Sequence, residues 1–130
     1  MKNVLLWAAR GVAALIMLQT LYFKFSGAAE SVEIFTRVNM EPWGRYLVGS
    51  LEAVASILLL IPAVSWWGAV LAVGLMTGAI GMHLTILGIE VQGDGGQLFF
   101  YAVAVTVASL LVLWYQRNEA LRVVKGLFNF

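Results

Sequence analysis

Four long apolar stretches alternate with short polar links along this chain. The apolar stretches cover about residues 4–27, 43–61, 66–88 and 97–115. Each is close to the 20 or so apolar residues that a helix needs to cross a bilayer. Only the first link, residues 28–41, is polar over any length. Within it Val32, Phe35 and Val38 recur every third residue, and Glu33 and Arg37 stand four apart. That pattern predicts a short amphipathic helix lying in the interface. Pro42 suits the first turn of the second long helix, and Trp43 and Tyr46 suit the headgroup level. Trp7, Tyr22, Trp66, Trp67, Trp114 and Tyr115 read most simply as interfacial anchors. Pro62–Ser65 leaves room only for a tight antiparallel connection. The link Ile89–Gly96 is glycine-rich, and its Asp94 is placed to cap the fourth long helix. A basic tail follows. Four antiparallel helices with short links predict an all-α, up-down-up-down four-helix bundle in a membrane, one domain over residues 1–130.

Composition supports the membrane reading. Hydrophobic residues make up 62% of the 130 positions and charged residues 12%. Soluble domains sit near 45–50% and about 25%, and disordered chains are poorer still in apolar residues. A net charge of +1 gives no basic surface for nucleic acid. The absence of cysteine excludes a dithiol active site and a thiolate metal site made by this chain alone. No metal motif, phosphate loop or nucleophile–base pair stands at a fixed spacing.

The basic residues Lys2, Arg10, Arg117, Arg122 and Lys125 fall at the end of the bundle that carries both termini. Arg37, Arg45 and Lys24 fall at the other end. The positive-inside rule then predicts both termini in the cytoplasm, and the chain is expected in the cell (inner) membrane. Arg10 is expected to snorkel towards the inner headgroups. The start also has features of a signal peptide, but Arg10 interrupts the apolar run and Lys24 sits just before the small residues.

One carboxylate, Glu52, lies well inside the second span. A charge at a membrane helix centre costs roughly 2.5–3.5 kcal/mol on insertion scales, so it needs a partner, a proton or a ligand. Glu52 is about nine residues in from the outer side, or roughly 13 Å at 1.5 Å per residue. His83 is about five residues from the outer end of the third span, or roughly 8 Å deep. Lys24 lies near the outer interface, Gln19 about a turn and a half deeper, and Tyr101 in the first turns of the fourth span. The polar residues thus gather in the outer half, and the inner half is expected to be almost purely aliphatic.

Helical faces refine the picture. Arg45, Gly49, Glu52 and Ser56 form one stripe; Thr20, Lys24 and Gly27 form another; Gln97, Tyr101 and Ala108 form a third. Lys24 is long enough to reach Glu52, and that pairing is the preferred one. It reads equally as a register-fixing ion pair and as part of a functional site. His83 alone reads more simply as a hydrogen-bonded histidine than as a ligand. Gly74, Gly78, Gly81, Thr85 and Gly88 share a face opposite His83. Small residues there would let a neighbouring helix approach closely, within the chain or in a homo-oligomer.

Several of these residues together resemble the DoxX family of small four-helix membrane proteins. They are Phe23-Lys24-Phe25-Ser26-Gly27, Met40-Glu41-Pro42-Trp43-Gly44-Arg45 leading into Gly49-Ser50-Leu51-Glu52, Leu59-Leu60-Ile61-Pro62, Gly68-Ala69, and Gly78-Ala79-Ile80-Gly81-Met82-His83-Leu84. The resemblance covers about residues 10–115. It implies a relationship to the membrane subunit of thiosulfate:quinone oxidoreductase, and to membrane oxidoreductase assemblies tied to thiol and radical defence. It places Lys24, Glu52 and His83 where the family carries its polar residues.

Two functions follow as expectations. In the first, the chain is a redox-associated membrane subunit. Lys24, Glu52, His83, Gln19 and Tyr101 line a polar pocket for a quinone headgroup, and a protein partner in an oxidoreductase complex supplies any thiol step. In the second, it is a non-catalytic scaffold for a partner protein. A small-solute or proton pathway is a weaker third, since the inner half offers no polar route and no internal repeat is visible.

Overall fold

The computed structural model of the chain describes residues 2–91 and 93–128. Six α-helices follow in order: α1 Lys2–Ser26, α2 Ala29–Arg37, α3 Trp43–Leu60, α4 Ser65–Met82, α5 Gln97–Tyr115 and α6 Arg117–Phe128. A short 3-10 turn, Pro62–Val64, joins α3 to α4, and a wide π-type turn, His83–Leu87, extends α4. The described residues contain no strand. Four segments are long and apolar enough to cross a membrane: Asn3–Ser26, Trp43–Leu60, Pro62–Leu87 and Gln97–Tyr115. They pack as a closed ring in the order α1, α3, α4, α5, with α1 against α5. This is the expected up-down-up-down bundle.

The bundle is small-residued inside and bulky outside. Its core includes Ala9, Ala13, Ala14, Ala55, Ala69, Ala72, Ala102 and Ala108, with Met17, Leu59, Met76, Val105 and Val112 filling between them. Leu15, Ile57, Phe100 and Trp114 face outward. Water would penalise such a surface, whereas lipid is as apolar as leucine and leaves helices to associate by close packing of small residues. The tightest approach is at Gly68. A Cβ there would lie 2.6 Å from the Leu59 backbone nitrogen and 2.8 Å from the Ala55 carbonyl oxygen. Within the chain, the Gly74, Gly78 and Gly81 face makes no such approach. A Cβ at Gly74, Gly78 or Gly81 would meet nothing within 4 Å, because α4 turns its buried stripe, Ser65, Ala69, Ala72 and Met76, the other way.

Helix ends are closed by identifiable contacts. α1 stops at Gly27, whose φ of +73° few residues but glycine adopt readily. The Ala28 N–H then returns to the Phe23 carbonyl at 3.0 Å, the bond of a Schellman closure. Pro42 sits immediately before α3 rather than in its first turn. Asp94 does cap α5: its carboxylate accepts the N–H groups of Leu98 at 3.2 Å, Gly96 at 2.8 Å and Val91 at 3.1 Å. Burial pushes the Asp94 carboxyl up, but the backbone N–H groups of Val91, Gly96, Leu98 and Gln97 outweigh it and hold it below the usual carboxylate range. A depressed folded pKa stabilises the fold above the unfolded pKa of about 3.9, and that contribution is lost as pH falls through the folded value. Asp94→Ala is expected to cost about 1 kcal/mol, read as a lowered unfolding midpoint in detergent. The loss should shrink on acidification.

Three sequence expectations change at the terminal end of the bundle. Arg10 does not snorkel. Its residue exposure is 1%, its Nε donates to the Leu59 carbonyl at 2.6 Å, and its guanidinium lies 3.8 Å over the Trp7 ring. The cause is local: Leu59 stands in the last turn of α3, where carbonyls lack helical partners and the helix dipole is negative. That half is also less aliphatic than expected, since Ser65, Ser109 and Gln116 are buried there. Ser65 Oγ donates to Gln116 Oε1 at 2.6 Å, tying α4 to the end of α5. Trp66, expected as an interfacial anchor, is buried; Trp67 stacks on it with ring centroids 4.2 Å apart and stays exposed. The basic tail is helical, as α6.

A candidate ligand site beneath α2

α2 does more than lie beside the bundle. It folds over the end opposite the termini, with Ser31 and Phe35 buried. Glu33 and Arg37, four apart on α2, do not pair with each other among the described residues. Arg37 instead donates to the carbonyl oxygens of Ile86 at 2.8 Å and Leu87 at 3.2 Å. Those carbonyls belong to the wide turn after α4, where the helical ladder ends and acceptors are free. The roof is thereby clamped to the third span.

Under this roof lies a cavity of about 270 Å3, walled by α1, α3, α4 and α5. Most of its wall is apolar, including Ile16, Met17, Phe35, Leu75, Met82 and Val105. Its polar side chains are few: Thr20, Lys24, Ser31, Glu52, His83 and Tyr101. Apolar walls with a few convergent polar groups are the usual make-up of a small-molecule site.

Lys24 and Glu52 meet as expected. Nζ lies 2.7 Å from Glu52 Oε1, with side-chain exposures of 17% and 1%. Glu52 Oε2 accepts from Thr20 Oγ1 at 2.7 Å. The Thr20 oxygen also lies 3.0 Å from the Met17 carbonyl, and one hydroxyl proton serves one acceptor at a time. With Glu52 ionised, the proton goes to the carboxylate. With Glu52 protonated on Oε2, the carboxyl O–H donates to Thr20 Oγ1, and the threonine turns its proton to Met17. Oε2 is therefore satisfied in both protonation states, which a buried titratable group needs if it is to change charge in place.

Arg45 does not compete for Glu52. Its Nε reaches both carboxylate oxygens of Glu41, at 2.9 and 3.0 Å, and its Nη1 takes the Lys24 carbonyl. It thus joins the start of α3 to the end of α1 and fixes the register at which Lys24 meets Glu52.

His83 is 4% exposed and opens the wide turn. Its Nδ1 lies 2.9 Å from the Gly88 carbonyl. A carbonyl only accepts, so Nδ1 carries the proton and Nε2 is the free nitrogen of the neutral ring. His83 and the glycine face are indeed on opposite sides of the third span, and it is His83 that faces the bundle interior. The ring meets Phe99 edge-on at 5.7 Å. Tyr101 is half-buried, and its hydroxyl oxygen accepts from Gln97 Nε2 at 2.9 Å, leaving its own O–H free to donate. Gln19 is not brought to the cavity. One residue along α1 is about 100° round the helix, so it stands on the exposed side while Thr20 faces in. Thr20, Ser31 and the α2 roof are the parts that residue-by-residue reading missed. Thr20 shared a stripe with Lys24; nothing in the pattern of α2 said which way it folds.

An apolar four-span bundle closed over a buried ion pair is a multi-pass membrane protein with an internal polar site. The chain belongs to the DoxX-like family, which it matches over residues 8–115. No curated protein and no solved structure matches it. The family match spans every residue that builds the cavity and ends where α5 ends, before α6.

Proposed function

We propose that this protein is a redox-associated subunit of the cell inner membrane, with both termini cytoplasmic, whose cavity beneath α2 binds the headgroup of a quinone. The observation that carries the reading is the donor and acceptor set inside an otherwise apolar chamber. A quinone carbonyl oxygen accepts only, and Lys24 and the Tyr101 and Ser31 hydroxyls are donors at the cavity wall. A quinol hydroxyl donates, and His83 Nε2 and Glu52 are the acceptors. The quinone, when bound, supplies a two-electron, two-proton couple. Glu52 holds and releases a proton through the Thr20 exchange, and Lys24 balances its charge in the ionised state. Electrons come from a partner oxidoreductase subunit; a thiol donor would lie in that partner, since this chain has no cysteine.

The test is a binding titration of the purified protein in lipid nanodiscs with a short-chain benzoquinone. The wild type should bind saturably, and Tyr101→Phe with Lys24→Met should weaken binding by about 30- to 150-fold, the loss of two hydrogen bonds at about 1–1.5 kcal/mol each. Unchanged affinity in that variant would return the Lys24–Glu52 pair to a purely structural part. The protein would then read as a scaffold that positions a membrane partner.

A further inference from the structure

The cavity does not end inside the bundle. Going round α4 at about 100° per residue, its cavity-lining residues start with the buried Met76 and pass through Ala79, Leu75 and Met82 to Gly78 and Gly74. Ala79 lies towards the bundle interior, whereas Gly78 and Gly74 stand on the exposed side. The space therefore runs along one flank of α4 to its perimeter. That flank faces α3. Gly68, lower on the same flank, presses on the backbone of Leu59 and Ala55, and Val48 of α3 contributes to the cavity wall above them. Near Gly68 the two helices touch backbone to backbone; at Gly74 and Gly78 a Cβ would meet nothing within 4 Å.

We propose that this gap between α3 and α4 is a lateral portal, through which the site takes a tailed amphiphile directly from the bilayer: a single-ring carbonyl headgroup inside, its hydrocarbon tail lying between Gly74, Gly78 and Val48 and out into lipid. This rests on the headgroup reading above and adds the route and the tail. Size supports a tail that stays outside. A volume of about 270 Å3 falls just below the roughly 300–1,000 Å3 of pockets that enclose a whole drug-sized ligand. The polar side chains sit at the interior end of the space, with His83 buried there and Nε2 free, and the portal end is glycine and valine. The aqueous side is covered by α2, where Phe35 is 5% exposed and Arg37 holds the turn after α4. Glycine at the two sill positions leaves the width that a methylene chain needs.

The experiment compares decylubiquinone with the same ring lacking its tail, in nanodiscs, for the wild type, Gly78→Leu, Gly74→Leu and Gly81→Leu. Gly81 shares the exposed face but does not line the cavity. The proposal expects the wild type to bind both probes. Gly78→Leu and Gly74→Leu should weaken the tailed probe by about tenfold or more and leave the tail-free ring unchanged, with Gly81→Leu like the wild type for both. Equal binding of the tailed probe in all four proteins overturns the portal and leaves the headgroup site standing. Loss of both probes in the two sill variants also overturns it, since the leucines would then act on the ring. Failure of the wild type to bind either probe removes the headgroup reading itself, and the portal with it.

Discussion

Lys24→Met is expected to destabilise the folded bundle by about 3–5 kcal/mol, the range for removing one partner of a buried ion pair. Glu52 is 1% exposed, and its Oε1 meets the Lys24 ammonium and no other donor. Without Lys24 the carboxylate is left charged among apolar walls, or it takes a proton and relies on Thr20 alone. Glu52→Gln should cost less. Lys24 has 17% side-chain exposure and sits in the last turn of α1, so a freed ammonium reaches the headgroups along its own stem. The double variant should recover most of what Lys24→Met loses, because replacing a buried pair by neutral groups is often close to neutral. SDS-titrated unfolding of the four proteins gives the coupling directly. Equal losses from both single changes, with full additivity in the double, would mean that the two side chains do not hold each other.

Gly68→Val should be as damaging for a different reason. The first carbon of any side chain would fall 2.6 Å from the Leu59 backbone nitrogen and 2.8 Å from the Ala55 carbonyl oxygen, and neither can yield without moving the end of α3. α3 and α4 must separate along their length, which puts the cost at or beyond the top of the roughly 1–3 kcal/mol range of overpacked cores. Gly74→Ala and Gly81→Ala meet open space and should stay within about 1 kcal/mol of the wild type, the scale of helix propensity alone. The same titration separates these cases. A Gly74→Ala loss as large as that of Gly68→Val would show that the exposed glycine face is packed against something, such as a second copy of the chain.

That contrast shows what the sequence could and could not say. The four spans, the ring of short links, the helix in the first link and the Asp94 cap all follow from periodicity and local chemistry, which act within a few residues. The Lys24–Glu52 pair was legible because depth and reach can be computed along straight helices. Within the chain the close glycine contact lies off the G-x-x-x-G face, because that spacing fixes a face without saying which way the face points. Only packing settles that, and Gly68, a lone glycine in the pattern, makes the contact. Arg10 was misjudged for a related reason. Its natural partner is a backbone carbonyl on α3, 49 residues away, and carbonyls at helix ends leave no mark in a sequence. Gln19 and Thr20 are neighbours that part company by one step of the helix. The roof over the site was hidden because an amphipathic α2 fits a headgroup layer and a bundle end equally well.

The most direct measurement is native mass spectrometry of the protein extracted gently from its own membrane, with bound lipids retained. The account predicts a stoichiometric mass increment equal to a quinone in the wild type, lost in Glu52→Gln at matched protein amount. Lipid adducts alone, with a stoichiometric protein partner that survives Glu52→Gln, would contradict the quinone site and leave the bundle a scaffold for that partner.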